Sequence, residues 1–158
     1  MYGHTFSLAL ILGAFIVCGV AFWKGDGAAR IAGVINLFNA AALPAMRIVF
    51  GHQTGEVLQL LSDFVASVGF LILAVRFASP WLGACMLLQS GQFSLHAFYL
   101  VTDRPHDQLH AWINNVDQWA IYICILVGVG LAVRRRAAMA REEAELEARR
   151  QQRNSTPT

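Results

Sequence analysis

Residues 29–50 read ARIAGVINLFNAAALPAMRIVF, and whether this stretch crosses a lipid bilayer decides the fold. It is long enough, because a ~30 Å hydrocarbon core takes ~20 residues of helix. Against it stand Asn36, Asn39, Pro44 and Arg47. Four other stretches, 5–23, 57–77, 80–101 and 116–133, are plainly apolar enough to span. The choice is therefore between four spans and five, and the charges decide it.

Positive residues favour cytoplasmic loops and helix ends. Arg134, Arg135 and Arg136 directly follow the last apolar stretch, so the C-terminus belongs in the cytoplasm. Counting back through five spans places Lys24, Arg30 and Arg76 inside as well, with Arg47 and Arg104 outside. Removing the second span would move Lys24, Arg30 and Arg47 into one external loop and reverse the bias. The expectation is an all-α integral membrane five-helix bundle, N-terminus outside and C-terminus cytoplasmic. Pro44 costs the second helix one backbone hydrogen bond, which neighbouring helices can tolerate.

Composition agrees. The chain has 158 residues, 56% of them hydrophobic and 14% charged, against ~25% charged in a soluble domain. A net charge of +2, with the basic residues bunched at one end, does not fit a nucleic-acid partner. Cys18, Cys85 and Cys124 lie in apolar runs without a Cys-x-x-Cys spacing, and read as packing residues. The first stretch lacks a basic start and a cleavage pattern, so it reads as a retained helix rather than a secretory signal. Trp23, Trp81, Trp112 and Trp119 fall near span ends, as an interfacial aromatic belt requires. Residues 1–136 form the expected transmembrane bundle. Residues 137–158 form a charged cytoplasmic helical tail, solvated and with a disordered end.

Polar residues within the spans carry the functional reading, because lipid cannot satisfy them. On the fourth span Cys85, Gln89, Gln92, His96 and Tyr99 recur at three- and four-residue steps, and therefore share one face. Glu56, Gln59, Asp63 and Ser67 do the same on the third. Asp63 lies too deep to be cheaply charged alone, and Arg47 on the preceding antiparallel helix is its expected partner. Together Arg47, Asp63, Gln89, Gln92, His96 and Tyr99 are the expected lining of an outer-facing polar cavity between spans two, three and four. A b-type haem wants two facing histidines, and His96 has no second intramembrane imidazole to face, which argues against haem. His106 and His110, four residues apart, are candidate metal ligands at the outer surface. Asn114, Asn115 and Asp117 read equally well as the polar start of the fifth helix.

Three stretches carry a family resemblance: Arg30-Ile31-Ala32-Gly33, the run Gln92-Phe93-Ser94-Leu95-His96-Ala97-Phe98-Tyr99, and Ile113-Asn114-Asn115. In these the chain resembles uncharacterised small multi-pass inner-membrane proteins of alphaproteobacteria. The resemblance implies the bacterial inner membrane and this helix count, and brings no activity, cofactor or catalytic residue.

No Ser, Thr or Cys sits in a nucleophile elbow or phosphate loop, so no complete catalytic constellation is visible. The size, and small residues such as Ala9, Gly13, Gly128 and Gly130 that let helices approach, point to a non-enzymatic accessory or assembly subunit. It would dock on membrane protein partners within the lipid bilayer. The alternative is a ligand-binding membrane protein whose polar cavity takes a quinone-like head group, a metal or a proton.

Overall fold

The computed structural model describes residues 2–50, 52–102, 104 and 107–155, with side chains for 9–41, 49, 56–102, 104 and 107–153. They form five α-helices: α1 (Tyr2–Lys24), α2 (Gly27–Phe50), α3 (His52–Phe77), α4 (Pro80–Val101) and α5 (Gln108–Ser155). No strand occurs among the described residues. Each helix packs on its chain neighbour, α5 closes the ring against α1, and α2 also touches α5. The debated 29–50 stretch is thus one helix, unbroken through Pro44.

Short turns reverse the chain, and local chemistry explains each. Between α1 and α2 the Gly25 N–H donates to Ala21 O at 2.9 Å, and Asp26 Oδ1 accepts from Ala29 N at 2.9 Å, capping α2. A Cβ on Gly25 would stand 2.3 Å from Ala21 O, so the turn demands glycine. Arg136 of α5 clamps this turn, its Nη2 donating to Gly25 O at 2.7 Å. Between α3 and α4, Ala78 takes the left-handed conformation (φ 45°) that commonly ends a helix. Ser79 is then extended (φ −114°, ψ 120°) ahead of Pro80, which opens α4.

α3 from Glu56–Phe77 and α5 from Gln108–Arg153 each hold a stretch long and apolar enough to cross a membrane, and Ala9–Lys24 is a shorter apolar helix. The polar stripes explain why α4 does not join them: Gln89, Gln92 and His96 lower its mean hydropathy.

Three expectations change. α5 starts at Gln108, not near Val116, so Asn114, Asn115 and Asp117 lie inside the helix and do not cap it. It runs without a break through the arginines, and residues 133–153 are all exposed; the expected disordered end lies largely outside the described residues. Trp81 is not an interfacial residue: it is buried against Gly128, where an added Cβ would meet its indole at 2.5 Å. Gly13 likewise sits under the Tyr122 ring, whereas Gly130 meets nothing within 4 Å and Ala9 is exposed. Gly13 and Gly128 thus let α1 and α4 approach α5, each glycine lying beneath an aromatic ring.

Candidate functional site

The polar faces read from the sequence turn inward. Gln59, Asp63 and Ser67 of α3 and Cys85, Gln89, Gln92 and Tyr99 of α4 are buried. Asp63 is wholly inaccessible, and among the described residues four side chains from three helices converge on its carboxylate. Oδ1 accepts from Asn39 Nδ2 at 3.1 Å, Gln59 Nε2 at 3.1 Å and Gln89 Nε2 at 3.2 Å. Oδ2 lies 2.5 Å from His96 Nδ1, and the two groups are hydrogen-bonded. A buried carboxylate is tolerable when paired and hydrogen-bonded in this way.

A second layer holds the first. Ser62 Oγ donates to Asn39 Oδ1 at 2.7 Å, and Ser67 Oγ to the Asp63 carbonyl at 2.8 Å. Gln89 Nε2 also approaches Gln92 Oε1 at 3.4 Å, and Gln92 Nε2 donates to Asn114 Oδ1 at 2.7 Å. Gln118 Nε2 reaches across the ring to Asn36 Oδ1 at 2.8 Å, and Tyr122 OH to the Leu10 carbonyl at 2.7 Å.

Beside the pair lies a partly open cavity of about 80 Å³, lined by Leu10, Ile11, Asn39, Ala40, Gln59, Gln92, His96, Asn114, Gln118 and Tyr122. All five helices contribute. The expectation of a cavity between α2, α3 and α4 missed α5, although its signal was present: His110, Asn114, Gln118 and Tyr122 recur at four-residue steps. Of the expected lining, Gln92 and His96 face the cavity, while Asp63 and Gln89 stand behind it. The Arg47 side chain lies outside the described residues.

Tyr99 serves elsewhere. Its hydroxyl donates to Asp107 Oδ1 at 2.8 Å, and its ring meets His110 edge-on at 4.6 Å between centroids. The His110 ring also lies 5.1 Å from that of His96, so a line of rings leads from the α4–α5 turn to the buried pair. His106, proposed with His110 as a metal pair, is outside the described residues. Among those described, no three His, Cys, Asp or Glu side chains gather to hold a metal ion.

Asp107 anchors this end of α5. The His110 backbone N–H (2.8 Å), then the Tyr99 hydroxyl, hold its carboxyl below the usual carboxylate range. It is thereby an N-cap. A depressed carboxyl stabilises the fold above its unfolded value and ceases to as pH falls through its folded value. Asp107→Ala should therefore lower the melting temperature by about 2–4 °C at pH 7, and by less at an acid pH below the usual carboxylate range. Circular dichroism melts at both pH values check this; an unchanged difference at the lower pH counts against the cap.

Compared with protein-family models, curated proteins and solved structures, the chain matches none.

Proposed function

We propose that the chain is a multi-pass protein of a bacterial inner membrane, crossing five times with its N-terminus outside, and that it binds a proton at a hydrated site inside the bundle. The observation that carries this is the Asp63–His96 pair at the wall of a polar cavity, within helices whose outer faces are apolar. Ile16, Val75 and Leu87 are 65%, 76% and 68% exposed, whereas Asn36, Asp63 and Gln89 are 1% exposed or less. A water-soluble domain has the opposite arrangement; a bundle dissolved in lipid has this one. The alternation of helix direction supports five crossings, because the α1–α2 and α3–α4 turns gather with Arg135 and Arg136 at one end. The cavity and the α4–α5 turn lie at the other.

Cavity size favours the proton among the ligands considered. An apolar cavity of ~150 Å³ holds one benzene ring, so a quinone ring would seat only partly in 80 Å³. Several water molecules fit, and a polar wall is what water occupies. Histidine beside a carboxylate is the pair of side chains best suited to take and release a proton near neutral pH.

Two measurements test the reading. Single cysteines replacing Lys24 and Glu56, in a background without native cysteines, should label from opposite membrane faces; labelling from a common face removes the second span and the site with it. In nanodiscs, the ¹⁵N signals of His96 should respond to pH in the wild type, and the response should change when Asp63 is Asn. A His96 that never titrates ends the proton reading.

The expected accessory-subunit role has its own support. The α5 extension beyond Arg136, whose guanidinium holds the α1–α2 turn, is helical, charged and exposed through residue 153. Such an arm offers a cytoplasmic partner a surface at little cost to the bundle.

A further inference from the structure

The charge on Asp63 sets the polarity of the cavity wall. A carboxylate can only accept hydrogen bonds, so Asn39, Gln59 and Gln89 all turn amide nitrogen toward it. An amide that presents nitrogen to one side presents oxygen to the other. Asn39 Oδ1 is taken by the Ser62 hydroxyl. Gln59 Oε1 is not: the residue is 7% exposed, lines the cavity, and its oxygen is buried with no hydrogen-bond partner among the described residues. Of the other wall amides, Gln118 gives its Nε2 to Asn36, while Gln92 turns its oxygen to Gln89 behind the wall and its nitrogen to Asn114, itself a lining residue. On α5, Asp117 Oδ2 is buried without a partner, close enough to interact electrostatically with both Asp63 and His96.

Among the described residues the wall thus holds one unpartnered amide oxygen, Gln59 Oε1, with the carboxylates of Asp63 and Asp117 close behind, beside a space of about 80 Å³. We propose that this cavity binds a small monovalent cation, an alkali ion or ammonium, in exchange for the proton held by Asp63 and His96. The inference rests on the proton reading above and names the second ligand of the same site. As the cation enters, one proton leaves His96 for water, and the site's net charge is unchanged. Charge-neutral exchange is what a buried site favours, because an added net charge in a low-dielectric interior is costly.

The titratable groups facing the pair are few. α3 supplies Asp63, α4 His96 and Tyr99, and α5 His110, Asp117 and Tyr122. Among the described side chains, α1 contributes Leu10 and Ile11 and α2 Asn39 and Ala40, none of which titrates; the side chains of His4 and Arg47 lie outside them.

The test uses the full-length protein in nanodiscs, with His96 titrated by ¹⁵N NMR at constant ionic strength in sodium, potassium, ammonium or choline chloride. Choline is too large for the cavity. A cation at about ten times its dissociation constant should lower the His96 midpoint by about one pH unit relative to choline, and comparing the three salts identifies the cation. In Gln59→Leu the salt effect should disappear while His96 still titrates; Gln59→Asn, which keeps an amide but withdraws its oxygen, should shrink it. Equal midpoints in all four salts overturn the proposal, as does a full salt effect in a folded Gln59→Leu protein. A wild-type His96 that fails to titrate even in choline removes the underlying proton site, and the exchange with it.

Discussion

Asp63→Leu is expected to lose about 3–5 kcal/mol of stability in detergent, whereas Asp63→Asn should lose about 1 kcal/mol or less. Leucine strands the amide N–H groups of Asn39, Gln59 and Gln89 and the His96 imidazole without their common acceptor. Each buried orphan costs roughly 1–3 kcal/mol. Neighbouring oxygens and cavity water recover part of that, since interhelical hydrogen bonds in bilayers average only about 0.6 kcal/mol. Asparagine keeps one oxygen for the three amides and can offer N–H to a neutral His96. It preserves the shape but removes the charge. The pair of variants thus separates structure from function: Asp63→Asn should fold and lose proton binding. Reversible unfolding in mixed detergent micelles measures both; equal losses for the two variants would show that the acceptor, as opposed to the side chain's bulk, does not matter.

The second large effect lies at the other end of the bundle. A Cβ on Gly128 would stand 2.5–2.7 Å from three atoms of the Trp81 indole, a bulky, buried ring with little room to yield. Gly128→Val should cost about 2–4 kcal/mol by forcing α4 and α5 apart. Replacing Trp81 with Leu as well should relieve the strain, so that the double variant is at least about 1 kcal/mol better than the two single losses predict. Strict additivity in a double-mutant cycle would mean that glycine and indole do not touch. Gly130→Val, with nothing within 4 Å, serves as the neutral control.

How far the sequence could be read follows from these residues. The buried faces of α3 and α4 were visible because polar residues recurring every three or four positions cannot face lipid. Asp63 stood out for the same reason. Its companions did not. Arg47, the expected charged partner, has its side chain outside the described residues; among those described, three amides and an imidazole from three helices converge there. Such convergence depends on how the helices are rotated against one another, which periodicity within one helix does not encode. The α5 stripe was overlooked because Asn114 and Asp117 were read as a helix start. The real start, at Asp107, depends on a capping bond to the His110 N–H, and short polar residues look alike at a cap and on a buried face. Trp81 shows a similar ambiguity: aromatic rings near helix ends serve interfaces and glycine contacts equally well.

The unbroken course of α5 has a mechanical consequence. One continuous helix joins His110, against the buried pair, to the exposed segment 133–153. At 1.5 Å per residue that segment projects about 30 Å, so a 5° tilt of α5 sweeps its tip by roughly 2.5 Å. A small repacking around one imidazole would thus be delivered, magnified, to whatever rests on the far end of the helix.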